Sequence, residues 1–178
     1  MKYLLIFVIL CCSVVCAEAS MIWRAAALNK SDFDKIKGDS SLVVSRLEVS
    51  DTVHALDLEK DWHGIHFLLN GDPWKITSKA GLAILGGAEF GDDLGYGKAK
   101  YLSPDEVRSI SKSLEKLPSD YMASKFSIDA LEKADIYPNV WRRDGPDGLK
   151  GLESQFEQLK DFYSNAAKEG LGIVIAIL

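Results

Sequence analysis

The last seven residues, GIVIAIL (Gly172 to Leu178), constrain the fold more than any other stretch. Successive strand residues point to opposite faces, so an unbroken apolar run that is β-branched at Ile173, Val174, Ile175 and Ile177 reads as a buried strand. Near the other end, SMIWRAAAL is a second short apolar strand, and the two are expected side by side. Between them lies LESQFEQLKDFYSNAAKEG. Its Leu152, Phe156, Leu159, Phe162, Tyr163 and Ala166 fall on one helical face, and Gly170 is its stop. The fold class expected is α+β: a single domain with a small mixed sheet that includes the N- and C-terminal strands, packed with several helices.

Lys2 followed by YLLIFVILCCSVVCA and Ala17-Glu18-Ala19 reads as a signal peptide over residues 1–19, cleaved after Ala19. The apolar run covers 15 residues, short of the roughly 20 that span a bilayer. A periplasmic or secreted protein with no membrane span after cleavage is expected, and lipidation at Cys16 is the competing route. Removing the first 19 of 178 residues leaves 159, enough for one domain over 20–178. Cys11, Cys12 and Cys16 all lie in the signal. The remaining chain therefore has neither a disulfide nor a thiolate for catalysis or metal. A net charge of -5 with dispersed basic residues argues against nucleic acid, and Arg142-Arg143 reads as a solvated turn.

SDFDKIKG predicts a short helix capped by Ser31 and stopped at Gly38, while Ser40 to Val53 carries no clear period. GYGKAKYL (95–102) reads as a strand. Ser103-Pro104-Asp105-Glu106 is a capping box opening a helix to about Leu117. Another helix runs from near Ser119 to before Tyr137-Pro138, because a residue preceding proline is pushed out of helical geometry. Arg142 to Gly151 reads as turns.

Leu56 to Asn70 predicts one helix whose core stripe is Leu58, Trp62, Ile65 and Leu69. Glu59, His63, His66 and Asn70 then line the border of that stripe. Such an edge is competent for metal ligation or for an acid/base pair, with His63 and His66 the metal candidates. The His pair is spaced i, i+3, whereas the His-Glu-x-x-His zinc motif needs i, i+4. The alternative is a strut, in which an imidazole bonds to main chain and pins a loop. His54 follows no pattern and is expected to be structural or exposed.

LGGAEFGDDLGYGKAKYL carries Gly86, Gly87, Gly91, Gly95 and Gly97. Neither phosphate-loop nor dinucleotide spacing is present. Asp92 and Asp93 are candidates for a hard cation or for holding a histidine, and Tyr96 and Tyr101 for lining a cleft. A compact loop capped by aspartates is the other reading.

LDLEKDWHGIHFLLNG, LGG, GDDLGYGKAKYLSPDEV, IYPNVW and FYSNAAKEG occur in this order before the apolar last strand. In them the chain resembles the YfbM-like family of domains of unknown function, from about Ser20 to Leu178. The resemblance implies a small single-domain α+β fold and a shared surface around Trp62, His63, His66, Asp92, Asp93, Gly95 and Tyr96. It implies no catalytic residue. Typical members begin near the position of Met21 without an export signal, and the segment before Leu56 is shorter here.

Three functions are expected candidates. The first is a non-catalytic, protein-binding domain of the cell envelope, of immunity or inhibitor type, its acidic surface suiting a partner's basic cleft. The second is a small hydrolase with His63 as general base, His66 or Asp92 as orienter and the glycine loop shaping a pocket. The third is a structural envelope protein. No cofactor is expected.

Overall fold

The computed structural model describes residues 20–48 and 54–178, so the expected signal segment lies outside the described residues. The elements in chain order are β1 (Trp23–Leu28), α1 (Lys30–Ile36), α2 (Ser40–Leu47), β2 (Ala55–Glu59), α3 (Trp62–Asn70), α4 (Leu82–Leu85) and β3 (Ala88–Asp93). There follow β4 (Lys98–Leu102), α5 (Pro104–Leu114), α6 (Tyr121–Lys125), α7 (Ile128–Lys133), α8 (Trp141–Asp144), α9 (Pro146–Glu169) and β5 (Gly172–Ile177). The strands form one sheet in the order β2-β1-β5-β4-β3.

The apolar terminal run is the central strand, paired with β1 on one side and β4 on the other. The expected neighbourhood of first and last strands is thus present, from Trp23 opposite Ile177 to Leu28 opposite Gly172. Every pairing is antiparallel, which corrects the expected mixed sheet. The reason is connectivity: β3 and β4 form a hairpin, and the helical return through α5 to α9 brings β5 back running against both neighbours.

Both faces of the sheet are covered, as an apolar central strand requires. On one face Ile173 and Ile175 pack with Trp23, Leu102 and the apolar sides of α3, α5 and α9. On the other, Val174 and Ala176 pack with Phe33 of α1 and with Val43 and Leu47 of α2. The six expected apolar residues of α9 are its buried ones. No helix among the described residues is long and apolar enough to cross a membrane.

Several elements differ from their expected bounds for local reasons. Asn29, not Ser31, caps α1, its side chain accepting from the Asp32 amide at 2.9 Å. Ser40 to Leu47 is helical because Asp39 accepts from the amides of Ser41 and Leu42, and positions 49–53 lie outside the described residues. The capping box at Ser103 forms with both of its bonds. The helix expected from Ser119 is two, α6 and α7, because Ser127 caps a new start. α9 begins at Pro146 rather than beyond Gly151, proline occupying its first turn. Arg142 and Arg143 lie on α8, exposed and paired with Asp129 and Asp144. Most of the glycine-rich segment before Asp93 is strand β3, while Gly95 to Gly97 form its turn.

Candidate functional site

The predicted helix from Leu56 breaks at Lys60-Asp61. Leu56 and Leu58 are buried positions of strand β2, and Glu59, opposite Trp23 of β1, takes a left-handed backbone with φ 48°. Glu59 is therefore not on the helix edge with His63, His66 and Asn70. The core stripe survives this correction, since Leu58, Trp62 and Ile65 are wholly buried and Leu69 nearly so. α3 is also buried more completely than a one-face helix. His63 and His66 are 1% and 0% exposed, and Gly64 allows contact with Trp141, whose ring atom would lie 2.7 Å from an added Cβ.

The two imidazoles line no open cleft. His63 Nδ1 accepts from the Tyr137 amide at 3.0 Å, which fixes the tautomer in which Nε2 donates to the Pro73 carbonyl at 2.9 Å. Its ring stacks on Trp62, with centroids 4.8 Å apart, and packs beneath Trp74 at 4.5 Å. Burial holds its pKa below the ordinary histidine value, against the pull of the Pro73 carbonyl and Asp135. His63 is thus a strut between α3 and two loops, with no nitrogen left for a substrate proton.

His66 Nδ1 faces the Asn70 amide nitrogen at 3.2 Å. Its Nε2 is buried without a bonded partner among the described residues, although the Lys75 main chain lies close enough to favour the charged form. Burial is the main cause that lowers its pKa to about 4, and nearby His63 adds to it. Neither Asp92 nor Asp93 holds a histidine. Asp92 accepts from Ser40 Oγ at 3.1 Å, and Asp93 Oδ1 accepts from the amides of Gly95 and Gly97, capping the β3–β4 turn. No three metal-binding side chains gather among the described residues. His54 pairs with Glu169 at 3.0 Å on the surface.

The two tyrosines proposed for a cleft lie apart, Tyr101 on β4 and Tyr96 in the turn before it. Tyr101 turns to the α1 face and stacks on Phe33 with centroids 3.7 Å apart. Tyr96, in the turn before β4, lines a cavity of about 300 Å³ together with Trp74, Ile76, Glu89, Lys98 and Lys100. Its inner wall is Ile84 and Leu85 of α4 with Ile175 and Ile177 of β5. Of the predicted cleft residues, then, Trp62, His63, His66 and Asn70 share one buried helix, whereas Tyr96 lines an open groove. Asp92, Asp93, Gly95 and Tyr101 lie elsewhere on or around the hairpin. The implied shared surface at Trp62, His63 and His66 is interior.

Sequence reasoning passed over Trp74, Ile76, Lys98 and Lys100; the loop that carries the first two is held by Asn70 and His63, which it singled out, and by Asp72, which it did not. Asn70 Oδ1 accepts from the amides of Thr77 and Ser78 at 2.9 and 3.2 Å, while its Nδ2 donates to the His66 carbonyl at 3.0 Å. Asp72 Oδ1 accepts from the amides of Trp74 and Lys75 at 2.9 and 2.8 Å, and these bonds hold its pKa below the usual carboxylate range. The loop from Gly71 to Ser78 is thereby fixed at both ends, with Trp74 seated on His63. α4 is too short to satisfy its own last carbonyls. Tyr163 Oη, Trp23 Nε1 and Lys100 Nζ do so at Ala83, Ile84 and Leu85, at 2.8, 2.7 and 2.8 Å.

A five-stranded antiparallel sheet with a buried histidine-bearing helix packed on one face defines the class: a single α+β domain. The chain belongs to the family described as a domain of unknown function, DUF1877, whose model matches residues 20–176. Among solved structures it is similar to a protein of unknown function, YfbM, from Escherichia coli, with a TM-score of 0.71 and 23% identity. That match covers 89% of this chain and 100% of the other, and at this identity it concerns the fold alone. No curated protein matches.

Proposed function

We propose that the protein is an exported, non-catalytic protein-binding domain whose recognition surface is the groove between the Trp74 loop and the β3–β4 hairpin. One observation carries the reading. Of the four large apolar side chains exposed among the described residues, Trp74 (59%), Ile76 (40%) and Tyr96 (39%) line this one groove. Exposed apolar side chains gathered in a patch mark interaction sites, and tryptophan and tyrosine are the residue types that most often dominate binding energy. An immunity or inhibitor role is the form of this reading that suits a small domain whose His63 has no free nitrogen for proton transfer.

The reading is tested by capture with the wild-type protein and with Trp74→Ala and Tyr96→Ala. A partner should be recovered by the wild type and bound roughly thirtyfold or more weakly by Trp74→Ala, about 2 kcal/mol for a central aromatic anchor. Partners that bind the variants unchanged would remove the groove from the interaction. Export rests on the signal-like residues 1–19. Mass spectrometry of the protein from the producing cell is expected to give Ser20 as the first residue. A chain starting at a lipid-bearing Cys16 would show the lipoprotein route, and one retaining Met1 would end the export reading.

A further inference from the structure

We propose, resting on the binding reading above, that the groove receives a partner segment that sets an aromatic or long aliphatic side chain beside an aspartate or glutamate. The alternation of β4 puts Lys98 and Lys100 on the groove side with Leu102, while Ala99 and Tyr101 take the opposite face. Lys100 Nζ is held by the Leu85 carbonyl at 2.8 Å, so its ammonium stands at a fixed point with two further hydrogens to give. Glu89 is its cross-strand neighbour in β3, and Asp93 is that of Lys98. Neither carboxylate forms an ion pair with these lysines among the described residues, and Asp93 is occupied by the turn amides. Among the described residues both cations therefore remain without an anionic partner, in a chain whose net charge is -5.

Closing this groove with an apolar group alone would take two ammonium groups out of water with only the Leu85 carbonyl on Lys100 in exchange, which is costly. A carboxylate from the partner supplies the missing anion, and charge-assisted bonds of this kind are the stronger ones. The volume, about 300 Å³, has room for a side chain and its neighbour. With Lys98 and Lys100 against Glu89, the groove lining carries one net positive charge, so this proposal differs from the expectation of a partner's basic cleft.

Trp74 supplies the readout. The other three tryptophans, Trp23, Trp62 and Trp141, are buried, so a change in emission on binding at the groove reports on Trp74, directly or through Trp62, whose ring centroid lies 6.2 Å away. Blocked peptides in four sets would be titrated: Phe or Leu beside Glu, the same beside Gln, the same beside Lys, and Glu without an apolar neighbour. The acidic-apolar set is expected to bind roughly tenfold tighter than its Gln counterpart, with the margin shrinking as salt is added. Lys98→Glu is expected to turn the preference towards the Lys set.

Equal binding of the Glu and Gln sets, or no change of preference in Lys98→Glu, would overturn the anionic part while leaving the groove as a docking surface. Binding of a free aromatic carboxylate more tightly than any peptide would overturn the partner segment as its source. If no set perturbs Trp74, or if calorimetry shows the acidic peptides binding Trp74→Ala equally well, the docking reading falls as well.

Discussion

Replacing Trp62 by alanine is expected to destabilise the fold by about 3–5 kcal/mol, the usual range for emptying a buried tryptophan site. Trp62 is wholly buried at the first turn of α3, and its ring supports that of His63. Its Nε1 also donates to the Met21 carbonyl at 3.1 Å, just before β1. The substitution therefore opens a cavity, leaves a carbonyl without its partner and removes the platform beneath the Trp74 loop. Chemical denaturation should show the midpoint falling with little change in slope. A loss below 1 kcal/mol would mean that the site collapses freely and that the helix is less tightly packed than described.

Acidification is expected to destabilise the protein in a window set by the histidines. An unfolded imidazole takes up its proton near pH 6.5. In the fold, His66 stays neutral to about 4, because burial first, then His63 and Lys100, oppose its charge more than Asp72 and the Lys75 main chain favour it. His63 is shifted in the same direction. A folded pKa below the unfolded one means that the unfolded state binds more protons. Stability is then intact above pH 6.5 and is lost as the pH falls towards 4, by on the order of 3 kcal/mol for His66.

The lowered carboxylates Asp32, Asp34, Asp39, Asp72 and Asp144 act in a later window, because their stabilising effect is lost only as the pH falls below about 3.8. Asp61, raised mainly by burial, has the opposite sign: acid relieves it. Melting curves at pH 7, 6, 5 and 4.5 should fall steadily for the wild type and distinctly less for His66→Gln. Equal slopes for the two proteins would exclude His66 as the source.

The parts of the fold most legible in the sequence were those where a local pattern and tertiary packing demand the same thing. GIVIAIL is apolar at every position because both faces of β5 are covered, and the face of α9 is written by six residues at helical spacing. The break at Lys60-Asp61 was hidden because Leu56 and Leu58 satisfy a helical stripe and a strand alternation equally well over so short a run. Pairing with β1 decides between them, and no local signal reports it. The same ambiguity carried Glu59 into the candidate site.

The site itself was half legible. WHGIHFLLN was recognisable as an unusual helix, but whether an imidazole serves chemistry or holds a loop depends on the partners of its nitrogens, and Pro73 and Tyr137 lie 10 and 74 residues away. Trp74 in DPWKI left one usable signal, an aromatic set in a turn-forming segment beside lysine. Its groove is completed by Tyr96, Lys98 and Lys100, which only the sheet order brings near.

The central place of β5 also governs when this protein can fold. A nascent chain that has reached Glu169 holds every other strand and helix described here, yet β1 and β4 still have an empty lane between them. The sheet cannot close until Gly172 to Ile177 have left the ribosome. The β2–β1 pair and the β3–β4 hairpin are thus joined into one sheet only when β5 pairs with both.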